Sequence, residues 1–120
     1  MEEDLAMLQK VLDMMEYAYI ALRQFPKSDK YALATDIKRC MDSILHNTVA
    51  AKKRYFKKTT LQELDIELAT LQSYIRLSYK LGFLPIQKYQ NWSDMVVELG
   101  KMLGGWLKTV KSQQTASHRE

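Results

Sequence analysis

Cysteine, proline, glycine and histidine are all scarce in this chain of 120 residues: there is one cysteine, two prolines, four glycines and two histidines. A single cysteine, Cys40, excludes an internal disulfide. Together with the lack of a charged-then-apolar leader ahead of the first helical pattern, it points to a reducing, cytoplasmic setting. So few prolines and glycines leave little room for a turn-rich β architecture. No apolar run approaches the roughly 18 residues needed to span a bilayer, so a soluble protein without a membrane association is expected. Chemistry is sparse too. There is no Gly-rich phosphate loop, no Walker motif, no paired cysteine spacing and no defensible Ser, His and Asp arrangement. His46 has no carboxylate or histidine three or four residues away to complete a ligand pair, and His118 lies near the end of the chain. The inward Glu-x-x-His motifs of di-metal bundles are missing. No enzyme, no metal site and no cofactor is expected.

What the chain has is apolar content of 47%, 27% charged residues and a net charge of +4. That is ordinary for one globular domain, and the length is too short for two. The charge is unevenly placed. Nine of the eighteen Lys and Arg residues fall between Lys27 and Lys58 with only Asp29, Asp36 and Asp42 to oppose them, so this stretch carries +6 while the rest of the chain is net negative. A local excess of this size sets up a surface potential that attracts polyanions or an acidic protein face.

Four helical patterns divide the chain, at about 2–24, 29–54, 60–81 and 86–111. In the first, Leu5, Leu8, Leu12, Met15, Tyr19 and Leu22 form one stripe and Met7, Val11, Met14 and Ala18 an adjoining one, which predicts a wide buried face. Phe25-Pro26-Lys27 stops it. Ser28 or Asp29 is placed to cap the second helix, whose inward residues are Leu33, Ile37, Cys40, Ile44, Thr48 and Ala51. Thr60 with Glu63 reads as a capping box opening the third, with Leu61, Leu64, Leu68, Leu71, Ile75 and Ser78 on one face. Gly82 in a left-handed conformation ends it, and Pro85 prevents resumption. The fourth carries Tyr89, Trp92, Val96, Leu99, Leu103, Trp106 and Val110 on one face. Gly100, Gly104 and Gly105 within it predict close backbone approach or a kink. Residues 112–120 are polar, unpatterned and read as a disordered tail. Short links between helices of similar length predict an all-α, antiparallel up-down-up-down four-helix bundle as a single domain over residues 1–111.

The candidate contact residues are Lys38, Arg39, Lys52, Lys53, Arg54, Lys57 and Lys58, with Arg76 and Lys80 one turn apart on the third helix. As a set they predict contacts to phosphate and to nucleic-acid shape. Arg54, Lys57 and Lys58 also sit where they can offset the dipole at a helix C-terminus. Tyr55 and Phe56, flanked by cations on both sides, are candidates for base stacking. Cys40 reads as a small apolar residue, and Glu63, Asp65 and Glu67 as a cap and solvated charges. An adaptor that binds only protein through the basic face, or a metalloprotein, stands as the alternative.

The segments Leu61-Gln-Glu-Leu-Asp-Ile-Glu-Leu68, Arg76-Leu77, Leu81-Gly82-Phe83 and Glu98-Leu-Gly-Lys-Met-Leu-Gly-Gly-Trp-Leu-Lys108 resemble the accessory variability determinant (Avd) proteins of diversity-generating retroelements. Phe25-Pro26-Lys27-Ser28 and Asp36-Ile37-Lys38-Arg39 are similar to the wider four-helix family encoded in intervening sequences of 23S ribosomal RNA genes. The basic stretch from His46 to Lys58 is closer to Avd. The resemblance covers about residues 5–110. It implies a homopentameric barrel of four-helix protomers that binds RNA, and DNA as a further polyanion, associates with the retroelement reverse transcriptase and supports mutagenic cDNA synthesis from template-repeat RNA without being catalytic itself. The alternative within the wider family is a protein–protein adaptor without direct nucleic-acid binding.

Overall fold

The computed structural model describes the backbone of residues 2–119 and the side chains of residues 5–113. The elements are α1 (Glu2–Leu22), a single turn α2 (Lys27–Lys30), α3 (Leu33–Lys53), α4 (Lys58–Lys80) and α5 (Ile86–Arg119). Among the described residues there is no strand. The four long helices form an antiparallel bundle in which α1 and α4 each pack on both α3 and α5. The particle measures 57 × 24 × 20 Å, and the 34 residues of α5 extend about 50 Å at 1.5 Å per residue.

The core takes one column from each helix. Leu61, Leu64, Leu68, Leu71, Ile75 and Ser78 of α4 are all buried, as their spacing predicts. So are Trp92, Val96, Leu99, Leu103, Trp106 and Val110 of α5, while Tyr89 is half-buried. From α3 the column is Ala34, Ile37, Met41, Ile44, Thr48 and Ala51, with Leu33 and Cys40 only half-buried at its edge. Trp92 is fully buried with no hydrogen-bond partner for its Nε1–H. An orphan donor costs about 1–3 kcal/mol, less than the roughly 4–6 kcal/mol implied by burying about 150–250 Å² of indole at 25 cal/mol per Å². The ring is retained for its area.

In α1 the buried face is narrower than the two adjoining stripes predict. Met7, Val11, Met14 and Ala18, the adjoining stripe, are at most 1% exposed and join Ala21, Leu22 and Phe25 in the core. Apart from Leu22, the leucine stripe stays at the surface: Leu5, Leu12 and Tyr19 are 48%, 49% and 42% exposed, with Leu8 and Met15 half-buried between them. Periodicity marks both stripes as apolar. It carries no information on which one the parent bundle uses.

Local signals fail where the chain must change direction. Ser28 and Asp29 do not cap the long second helix but lie in α2, where the amides of Asp29 and Lys30 donate to the Pro26 carbonyl. Ala32 then leaves helical geometry at φ −118°, ψ −89° and stands at the N-cap of α3 with no side-chain cap bond. The expected Thr60–Glu63 capping box is absent as well: α4 starts at Lys58, two residues earlier, without a side-chain cap. Thr60 is drawn inside by burial. By contrast, Gly82 ends α4 as its sequence predicts. It takes φ +80°, and the Phe83 amide donates to the Ser78 carbonyl and the Gly82 amide to that of Tyr79, the paired bonds of a Schellman cap. Phe83 then packs on Phe25, ring centroids 5.3 Å apart, which ties the α4–α5 turn to the end of α1.

Two features of α5 bear on its sequence pattern. Helix continues past Lys111 to Arg119, because no proline or glycine follows Gly105 to stop it; Glu120 lies outside the described residues. A Cβ built on Gly100, Gly104 or Gly105 meets nothing within 4 Å, so no close approach within the protomer accounts for these glycines. Gly105→Ala is therefore expected to stabilise the protein by about 1 kcal/mol through helix propensity, whereas Gly82→Ala, forced into a left-handed conformation, costs about 1–2 kcal/mol. Urea unfolding of the two variants checks both signs.

Candidate nucleic-acid interface

The α3–α4 hairpin turns through four residues, 54 to 57, and two of its cations are spent on the turn itself. Lys57 is half-buried, and its Nζ donates to the carbonyl oxygens of Ala51 at 2.5 Å and Lys52 at 3.2 Å. These are last-turn carbonyls of α3 that the helix cannot satisfy, and an ammonium there also meets the negative end of the helix dipole. Arg54 donates from its backbone amide to the Ala50 carbonyl and from Nη1 to the buried Thr60 hydroxyl at 2.8 Å. The turn is thus pinned to both helices.

What this arrangement leaves outside is an aromatic and cationic tip. Tyr55 is 89% exposed and Phe56 78%, their rings edge to face at 4.9 Å and 86°. Lys52 and Lys53 on the last turn of α3 and Lys58 at the start of α4 are exposed beside them. From Ser43 to Gln62 the sequence contains no acid. Nothing in that stretch lowers the potential at the tip.

The remaining candidates lie elsewhere. Lys38 is some 14 residues up α3 from Lys52, about 21 Å at the helical rise, with its ammonium 5.1 Å from the centre of the Tyr19 ring. Arg39 borders a shallow groove of about 310 Å³ between α3 and α4, shared with Asp36, Cys40, Ser43, Glu67 and Tyr74. Arg76 and Lys80 are exposed at the far end of α4, on the order of 30 Å from Lys58. The nine cations form separate groups, with the tip as the densest.

Cys40 sits half-buried on the α3–α4 seam, its thiol directed to the Glu67 carbonyl oxygen at 3.4 Å. Burial, and secondly the Glu67 charge, push it from an ordinary 9.0 up to about 11. That suits a packing residue and not a nucleophile. Glu67 accepts a hydrogen bond from Asn47 Nδ2 at 2.7 Å, so it serves to join α3 and α4. Glu63 and Asp65 are exposed. His46 is exposed on α3, the side chain of His118 lies outside the described residues, and among the described residues no group of three His, Cys, Asp or Glu is arranged to hold a metal ion. No helix among them is long and apolar enough to cross a membrane.

An all-helical bundle agrees with comparison against protein-family models, in which the bAvd-like model matches residues 5–110. The chain belongs to the bAvd-like family. Its members are Avd-type accessory proteins of diversity-generating retroelements, a generally non-catalytic family whose role implies association with retroelement components. Comparison with curated proteins gives no match. In this bAvd-like protein the sequence reading placed Arg54, Lys57 and Lys58 alike at the end of a helix; it did not show that Arg54 and Lys57 bond back to the helices while Lys58 stays exposed. The available signal was position: a lysine a few residues past a helix end is placed to reach the last carbonyls.

Two outcomes follow for the bAvd-like chain. Lys57→Ala is expected to cost about 1 kcal/mol in urea unfolding by leaving helix-end carbonyls without their donor, while Lys58→Ala, exposed beside it, changes stability immeasurably. For Cys40, a pKa of about 11 against 9.0 makes the reactive thiolate about a hundredfold scarcer at pH 8 than in the unfolded chain. Disulfide-reagent labelling of the native protein should be slower by at least that factor and rise about tenfold per pH unit toward pH 11. Because the folded pKa is raised, the stabilisation linked to this thiol is complete below about pH 9 and is lost as pH climbs through about 11.

Proposed function

We propose that this protein is a non-catalytic, cytoplasmic scaffold of its retroelement, an oligomer that holds template-repeat RNA through phosphate contacts and brings it to the reverse transcriptase. The observation that carries the reading is the hairpin tip, where Lys52, Lys53 and Lys58 stay exposed after Arg54 and Lys57 have been used to pin the turn. Lys38, Arg39, Arg76 and Lys80 extend the basic surface along the body of the bundle, where a long polyanion or the polymerase can lie across several groups.

Assembly is supported by the leucine face of α1. The cation–π contact between Lys38 and Tyr19 gives a register for the antiparallel α1–α3 pair, in which seven residues along each helix place Leu45 beside Leu12 and eleven place Val49 beside Leu8. Leu5, Leu12 and Val49 are 48%, 49% and 39% exposed. Exposed apolar residues gathered on one helix face mark a candidate contact surface. A closed ring, such as the pentamer the family resemblance implies, needs a second and different face on each protomer. Open space over Gly100 and Gly104, next to Val97 at 47% exposure, supports α5 in that role, since a helix can approach a glycine face closely.

Light scattering of the purified protein with and without template-repeat RNA, at two salt concentrations, tests both parts. The expected particle contains several protomers and takes up RNA in a salt-sensitive manner. Leu12→Asp should reduce it to a monomer of unchanged helicity. A Lys52→Glu, Lys53→Glu, Lys58→Glu variant should keep its mass, lose at least tenfold in RNA affinity, and show a log–log salt slope shallower by about two to three for each tip engaged. A monomer indifferent to RNA would refute the scaffold and favour a protein-only adaptor.

A further inference from the structure

The tip presents more than charge. We propose that Tyr55 and Phe56 form a stacking platform for unpaired nucleobases, so that the hairpin tip engages single-stranded segments in preference to duplex; this rests on the nucleic-acid reading above and adds to it a class of ligand. Two adjacent large aromatic side chains at 89% and 78% exposure contribute almost nothing to the core. Their rings meet at 86°, so their faces point in two perpendicular directions and each can accept a planar partner without displacing the other. The turn that carries them is short and held at both ends, by Lys57 to the α3 carbonyls and by Arg54 to Thr60. A platform held this way loses little freedom on binding.

The occupant is set by combining the rings with their surroundings. Lys52, Lys53 and Lys58 flank the pair in the chain and are exposed, and no acid occurs from Ser43 to Gln62. A partner must therefore offer negative charge and flat π surfaces together. Single-stranded nucleic acid does so at every nucleotide, and base–aromatic stacking is tolerant of sequence because every base has a face. A duplex offers only the charge along its sides: its bases are already stacked, and the deep, narrow major groove of A-form RNA does not admit side chains. Duplex contacts should then use the lysines alone.

The test compares a 20-nucleotide single-stranded oligonucleotide, an abasic strand of the same length and a 20-base-pair RNA duplex by fluorescence anisotropy at fixed salt. Wild-type protein is set beside Tyr55→Ala/Phe56→Ala and Lys52→Ala/Lys53→Ala, with circular dichroism as a check on folding. Loss of both rings should weaken single-strand binding about tenfold or more and change duplex and abasic-strand binding less than twofold. Loss of the two lysines should weaken all three ligands similarly. Equal loss on single strand and duplex, or no loss on either, overturns the stacking platform while leaving the phosphate scaffold intact. Failure of wild type to bind any of the three refutes both readings. If the aromatic variant instead fails only in binding reverse transcriptase, or anionic phosphatidylglycerol vesicles, the rings belong to a protein or lipid contact and the proposal is wrong.

Discussion

Each long helix of this protein can turn only about a third of its circumference toward the common axis, and the side chains that fill that third decide where everything else points. In α4 and α5 the column is unambiguous, because each has a single strong apolar stripe and polar residues on most of the remaining surface. The α3–α4 hairpin is consequently fixed in rotation as well as position. Its turn must face away from the core at the end of the bundle, and the side chains of residues 54 to 58 divide between those that reach back to the helices and those that cannot. Placement of the aromatic pair outside is a result of core packing several residues away.

Electrostatics at the hairpin follow the same logic of unmet requirements. A helix ends with carbonyls that have no partner, and Lys57 supplies donors to two of them. Thr60 is buried, and its hydroxyl oxygen accepts from Arg54. A charged donor placed this way is worth more than an exposed ion pair, where the median contribution is near zero to 1 kcal/mol. Five of the hairpin's residues are cationic, yet they are not equivalent: two maintain the shape that lets the other three remain free. Net charge along the chain does not separate these roles, and helix-end position singles out Arg54, Lys57 and Lys58 without distinguishing Lys58, which stays exposed.

Where reasoning from the sequence succeeded, a single physical requirement dominated the local pattern. The α4 column has only one apolar face to offer, and Gly82 has the one backbone conformation that closes its helix. It failed where two requirements competed. In α1 the Met7, Val11, Met14, Ala18 stripe and the leucine stripe are both apolar, and the pattern alone does not say which one the bundle buries. Thr60 and Glu63 had the spacing of a capping box, but a buried site for Thr60 and a donor from Arg54 moved the helix start to Lys58. Ser28 and Asp29 had capping chemistry, but the chain needed a turn between α1 and α3 before α3 began. For the tip, residue type and position were legible; the perpendicular geometry of the rings and the pinning of the turn depend on contacts across the hairpin and have no linear signature.

The surplus apolar face and the cationic tip bear on each other in the proposed scaffold. Three free lysines make a weak site, since each phosphate neutralised adds a modest, salt-sensitive increment, and two rings add a stacking contribution limited to a few bases. One protomer would hold RNA briefly. Repeating the tip around an oligomer changes the problem, because after one tip binds, the next meets the same strand at a local concentration set by the spacing of subunits and not by bulk RNA. A face of leucines on α1 that the bundle leaves exposed is costly for a monomer and useful only if something covers it. Its retention is intelligible if assembly is what turns a weak tip into an effective site, so that apolar burial between protomers and ionic contact with RNA act in series, and loss of either removes binding under physiological salt.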